Sequence, residues 1–277
     1  MPPKVMFALI HNDNEQRNAY VRPKLVELGA VLSKYFEVTQ IEVSYQSQLV
    51  PHGIRLSLYR EFIYYRLMNE FYLSHSLGGR NALKEAIGFV RHIARRYFFN
   101  AGNELALWQR KSAIEMLLTD KHISVWRRFL DSKCDLLLCC EDDVIINEKG
   151  MNDLTSLLLQ RGLSMNSNAE FFDLAGGCNL ESLGLNPIKK ISSQSLHSYC
   201  PGLSNTSCSY LLTRGMAQLF YAELEKNIML RLIGADWLMN KIFLNLSISG
   251  ARYECLHMEP PCFIHGTVSG TYSTSIK

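Results

Sequence analysis

A chain of 277 residues with 47% hydrophobic and 20% charged residues has enough apolar material for one large core, which excludes a wholly disordered polypeptide. Its formal net charge of +3 is too modest for a dedicated nucleic-acid binder, and no recognised nucleic-acid module accompanies it. No run of about 18 apolar residues is present, so the sequence predicts no membrane span.

Lys4 to Ile10 reads as a buried strand, closed by the turn-forming His11-Asn12-Asp13-Asn14. A helix is expected over Gln16 to Leu28, ended by Gly29, and a second strand over Phe36 to Val43. Strand, helix, strand in that order predicts a βαβ unit and a parallel sheet, hence an α/β fold. The start of the chain is too short and too quickly polar for a signal peptide.

Leu56 to about Asn100 reads as helical and rich in aromatics. Within it Leu83, Ala86, Ile87, Val90, Ala94 and Tyr97 recur at spacings of three and four. From Arg80 to Lys111 seven basic residues (Arg80, Lys84, Arg91, Arg95, Arg96, Arg110, Lys111) face two acids, Glu85 and Glu104. This belt, net +5, attracts phosphates. Two readings stay open for its amphipathic helix: packed on the core, or lying on an anionic membrane.

Two helices are expected next, Leu105 to Leu118 and Lys121 to Leu130. The apolar run Cys134 to Cys140 follows, as a central strand covered on both faces. Further strands are expected at Phe171 to Leu174 and Ser209 to Leu212, and helices at Gly215 to Lys226 and Trp237 to Leu244. Asn179 to Ser207, rich in Ser, Asn, Gly and Pro, reads as a long loop or irregular lid. The eight cysteines have irregular spacing and no CxxC pair, which predicts reduced, mostly buried thiols of a cytoplasmic protein. Without a secretion signal the sequons at Asn205 and Asn245 carry no weight.

The chemistry concentrates at Glu141-Asp142-Asp143, directly after the central strand, where ligands bind in open α/β sheets. Three adjacent carboxylates repel one another unless a cation compensates, and a hard ion such as Mg²⁺ or Mn²⁺ takes oxygen ligands it can share with a diphosphate. A solvated acidic turn is the alternative. His265 could reach the same ion. Gly266, Thr267, Ser269 and Gly270 could bring N–H and O–H donors to phosphate, or could form a plain terminus. Asp236 reads as a helix N-cap and, beyond that, as a general base.

The order of these motifs resembles the family 25 glycosyltransferases of the lipooligosaccharide-biosynthesis type, which have a GT-A-like fold. The resemblance rests on Phe7 to Asn12 leading to Arg17 and Arg22, on Lys121-His122-Ile123-Ser124-Val125-Trp126 (Lys121 standing where Ser is usual), and on the unchanged acidic signature Glu141 to Val144. Phe171 to Gly177, Thr206 to Ala217, Asp236 and Pro260-Pro261 with the Ser-rich end continue it; a helical block at about 50–105 lies outside it.

The resemblance implies a single GT-A-like domain, a mostly parallel sheet flanked by helices. It would invert the anomeric centre while moving a hexose such as galactose from a UDP-linked donor to a glycan or lipid-linked glycan acceptor. It implies Mn²⁺ or Mg²⁺ held by Glu141, Asp143 and His265, donor contacts from Ile10, Asn12, Arg17, Asp142, Thr267 and Ser269, and Asp236 as base. The place of action would be the cytoplasm or the inner membrane face. Two rival classes share these features. A metal-dependent nucleotidyltransferase or phosphotransferase would release pyrophosphate from nucleotides and leave nucleotide sugars untouched. A non-catalytic glycan- or partner-binding scaffold would show no metal-dependent affinity for nucleoside diphosphates.

The basic belt yields the first test: at low salt the protein is expected to sediment with anionic vesicles more than with neutral ones. Equal sedimentation removes the membrane reading.

Overall fold

A computed structural model describes residues 2–12, 14–44, 53–75, 82–94, 103–161, 168–191 and 195–273. Arg80, Arg95, Arg96, Asp13 and the last four residues lie outside them. The fold is α/β. Strands β1 (Lys4–His11), β2 (Glu37–Ser44), β3 (Leu136–Glu141), β5 (Glu170–Asp173), β6 (Lys189–Ile191), β7 (Leu196–Tyr199), β8 (Ser209–Thr213) and β9 (Glu254–Met258) form one sheet in the order β2-β1-β3-β8-β5-β9-β7-β6. A separate ribbon pairs β4 (Val144–Ile145) with β10 (Ile264–His265).

The pairings are parallel for β1–β2, β1–β3 and β5–β9 and antiparallel elsewhere. Six strands therefore point one way, and only β8 and β7 are reversed. The carboxyl ends of β1, β3, β5 and β9 share one edge.

Alternation along the strands splits the core in two. Met6, Ala8, Ile10, Leu137, Cys139, Phe171 and Tyr210 pack with residues of α4 (Asn103–Asp131), α6 (Arg214–Lys226) and α7 (Ala235–Ile248). Val5, Phe7, Leu9, Leu136, Leu138 and Cys140 pack with α1 (Glu15–Leu32) and α5 (Glu148–Arg161). Burial on both faces explains why β1 and β3 are continuously apolar.

Several boundaries differ from the expectations, each for a packing reason. Gly29 does not end α1. It lies inside the helix where a Cβ would come 2.8 Å from Gln40 Nε2, so it permits close approach to β2. The two helices expected on either side of Thr119 are one; Thr119 Oγ1 bonds back to Glu115 O within it and also lies 2.6 Å from Ile233 O, just before α7. The expected lid at Asn179 to Ser207 contains β6 and β7, short polar strands at the sheet edge. The helical block divides into α2 (Ile54–Ser74) and α3 (Ala82–Ala94). α2 packs on α7 through Phe71 against Trp237 and Lys241 against Glu70. On α3, Phe89 meets Phe62 and Tyr65, while Arg91, Ile87 and Val90 are exposed. The apolar stripe of α3 is thus only partly covered. No helix among the described residues is long and apolar enough to cross a membrane. All eight cysteines are free, and only Cys178 and Cys200 are exposed.

After β9 the chain turns back across the carboxyl edge. Phe263 N–H donates to Leu174 O, β10 pairs with β4, and Gly150 of α5 backs directly onto the Cys262 carbonyl. A methyl at position 150 would collide with that oxygen. Gly150→Ala is expected to lower stability by about 1–3 kcal/mol, measured as a fall in the urea midpoint.

Candidate functional site

Three consecutive carboxylates leave the end of β3, and each finds its own partners. Glu141 Oε1 lies 3.2 Å from His122 Nε2. The imidazole is fully buried, and its Nδ1 lies 2.8 Å from Tyr210 Oη, which also accepts the Trp126 indole N–H at 2.9 Å. Burial works to raise the Glu141 acid, but His122 and Ser207 hydrogen bonds and the His122 and His265 charges hold it below its ordinary value.

Asp142 turns the other way. It accepts from Asn12 N–H at 3.0 Å and from Arg17 Nη1 at 3.1 Å, with both charged side chains buried. Burial still dominates and, with repulsion from Asp143, keeps this acid above its usual range despite Arg17. Arg17 is placed by the first turn of α1, where Asn14 caps the helix by accepting Arg17 N–H at 3.1 Å. The same guanidinium donates to Ser273 O at 2.6 Å, contacts Thr267 Oγ1 at 3.4 Å and covers the Tyr272 ring.

Asp143, buried, faces the C-terminal segment. Thr267 Oγ1 donates to its Oδ2 at 2.5 Å, His265 Nδ1 lies 3.5 Å from the same oxygen, and Cys208 Sγ lies 3.5 Å from Oδ1. Gly266 N–H donates to Asp143 O at 2.8 Å, and a Cβ on Gly266 would sit 2.6 Å from that carbonyl, so only glycine allows the ribbon to close this tightly.

The expectation that Glu141 joins Asp143 and His265 around one ion is therefore corrected. Only Asp143 meets His265, and the third member of their cluster is Cys208; their ligand atoms lie within 4.8 Å of one another. Glu141 is drawn off by buried His122, and Asp142 by Arg17. Cys208 carried no signal in the sequence beyond that of a buried thiol, because what brings it here is the reversed direction of β8, whose start pairs Cys208 O with Glu141 N–H at 2.8 Å.

Asn12, Arg17, Asp142 and Thr267 do share one neighbourhood. Ile10 is a core residue whose side chain faces the helices, so its side chain offers a ligand nothing. Ser269 is exposed and bonds within its own turn, to Gly266 O and Thr271 Oγ1. It also lines, with His265, Asp173, Asn205, His197 and Glu259, a cavity of about 550 Å³ along the carboxyl edge. That volume suits a small-molecule site.

Asp236 is not the N-cap of α7. Gly234 holds that position, and Asp236 is the second residue of the helix, its Oδ1 accepting Trp237 N–H at 2.8 Å. The helix begins two residues sooner than the sequence pattern suggested. Burial, aided by the charges of Glu115 and Glu141, pushes the Asp236 acid up to about 6. A raised carboxyl costs stability once ionised, and the cost is fully present above pH 6 and gone below the ordinary value near 4. Asp236→Asn is therefore expected to raise the melting temperature at about pH 8 and to leave it unchanged near pH 4, as read by calorimetry.

No protein-family model matches the chain, and a comparison with curated proteins finds no match either.

Proposed function

We propose that the protein is a metal-dependent glycosyltransferase acting on a nucleotide-sugar donor, with a GT-A-like arrangement of its α/β sheet. The observation that carries this reading is the joining of Asp143, at the end of β3, to His265 and Thr267 from the far end of the chain, beside a cavity large enough for a sugar. The resemblance of the acidic signature and of the motif order to the family 25 enzymes supplies the reaction class.

The residues present fit a divalent ion, since a buried carboxylate and an imidazole offer oxygen and nitrogen donors in reach of each other. Mn²⁺ or Mg²⁺, held by Asp143 and His265, would act as a Lewis acid for the departing diphosphate. Thr267 Oγ1, its proton given to Asp143, would hold that carboxylate in place beside the ion rather than meet a phosphate. Arg17 holds Asp142 and the C-terminal segment in place, so its part is to position the donor site. Asp236 would take the proton of the acceptor hydroxyl at Oδ2, its Oδ1 being engaged by Trp237 N–H. An acid with its midpoint at about 6 is ionised at neutral pH yet basic enough to accept that proton. The acceptor would be a cell-surface glycan or lipid-linked glycan.

The test is a screen of nucleotide sugars, UDP-hexoses first, for Mn²⁺-dependent release of the nucleotide. Asp143→Ala is expected to lower turnover by about 100-fold or more. Equal turnover by the variant removes the metal role. Pyrophosphate release from nucleoside triphosphates, with nucleotide sugars untouched, would replace sugar transfer with nucleotidyl transfer.

A further inference from the structure

We propose that Cys208 is a metal ligand, completing with Asp143 and His265 a site of mixed oxygen, nitrogen and sulfur donors that prefers Co²⁺ or Zn²⁺ to Mg²⁺. The proposal rests on the metal reading above but not on sugar transfer.

Three separate segments deliver these groups: the turn between β3 and β4, the residue before β8, and the end of β10. One ligand atom from each lies within 4.8 Å of the other two, the sole such set of three or more among the described residues. Cys208 Sγ stands 3.5 Å from one oxygen of Asp143, Oδ1, and His265 Nδ1 stands 3.5 Å from the other, Oδ2. A charge-assisted N–H···O bond is shorter, about 2.7–2.9 Å. Sulfur at about 2.3 Å and oxygen or nitrogen at about 2.0 Å from a tetrahedral ion stand roughly 3.3–3.5 Å apart. The His265 spacing is longer than a closed charge-assisted bond and leaves room for an ion, and the Cys208 spacing is that of an S–H···O bond whose proton an ion would replace.

The setting agrees. Cys208 and Asp143 are buried while His265 is partly open to the cavity, so an ion can enter on the His265 side. Three protein ligands is the count of sites that keep a position for substrate. Mg²⁺ takes oxygen donors, whereas thiolate and imidazole suit Zn²⁺ and Co²⁺. On binding, the Cys208 S–H bond breaks, a metal–sulfur bond forms, and the proton passes to solvent.

The experiment is a titration of the metal-free full chain with Co²⁺, followed by absorption and by proton release into weak buffer. Expected are one ion per chain, a sulfur-to-cobalt charge-transfer band in the near ultraviolet, and release of one proton. Cys208→Ser should lose the band and bind Co²⁺ on the order of tenfold more weakly. Cys255→Ser, buried elsewhere, should keep the band. Co²⁺ binding by the wild type without the band overturns the Cys208 assignment and leaves the Asp143–His265 reading intact. Absence of Co²⁺ binding overturns the site altogether. Should Cys208→Ser not fold, the wild-type spectrum decides alone. Sugar transfer is judged separately by nucleotide release, so neither result can be mistaken for the other.

Discussion

The buried ion pair between Arg17 and Asp142 ties the site together. It joins the exit of β1, the first turn of α1 and the acidic turn after β3, and through Ser273 and Thr267 it reaches the end of the chain. Two buried charges are costly apart, so removing either partner would leave the other unpaired at a cost of about 3–5 kcal/mol. This pair consumes the middle carboxylate of the triplet and fixes where the other two can go. Glu141 is held toward the helical side by His122, and Asp143 is left facing the ribbon.

Strand direction is the second constraint. With six strands pointing one way, the ends of β1, β3, β5 and β9 form a common rim, and the segment after β9 crosses that rim in the ribbon with β4. The reversed strand β8 contributes its start, rather than its end, to the same rim. Asp143, Cys208 and His265 are neighbours because of these two facts alone. On the opposite side of β3, the chain Trp126–Tyr210–His122–Glu141 is enclosed by core residues. A fully buried imidazole between a phenol and a carboxylate orients Glu141 firmly, since every polar atom of that chain would be expensive to leave without a partner.

The α/β class, the strands at both ends of the βαβ unit, the doubly covered central strand and the acidic rim were all legible from residue order. Their signals are local: continuous apolar runs at Lys4 to Ile10 and Cys134 to Cys140, and acids at a strand end. Boundaries that depend on distant contacts were not legible. Gly29 looked like a stop and is a point of close approach; Thr119-Asp120 looked like a break and is mid-helix; Asp236 looked like a cap and sits two positions beyond it. Strands β6 and β7 were hidden because the surrounding composition is that of a loop, and only the pairing of β7 with β9 and of β6 with β7 makes them strands.

What the sequence determined by itself was the kind of fold and the presence of acids, a histidine and hydroxyls suited to a cation and a diphosphate. What the tertiary structure decided was their grouping. Glu141 goes to His122, Asp142 to Arg17, and Asp143 to Thr267, His265 and Cys208. The reason is physical: adjacent like charges separate whenever the fold offers each a compensating partner, and those partners come from segments up to 125 positions away in this chain. No local pattern records which distant strand is reversed or where a C-terminal segment crosses a sheet.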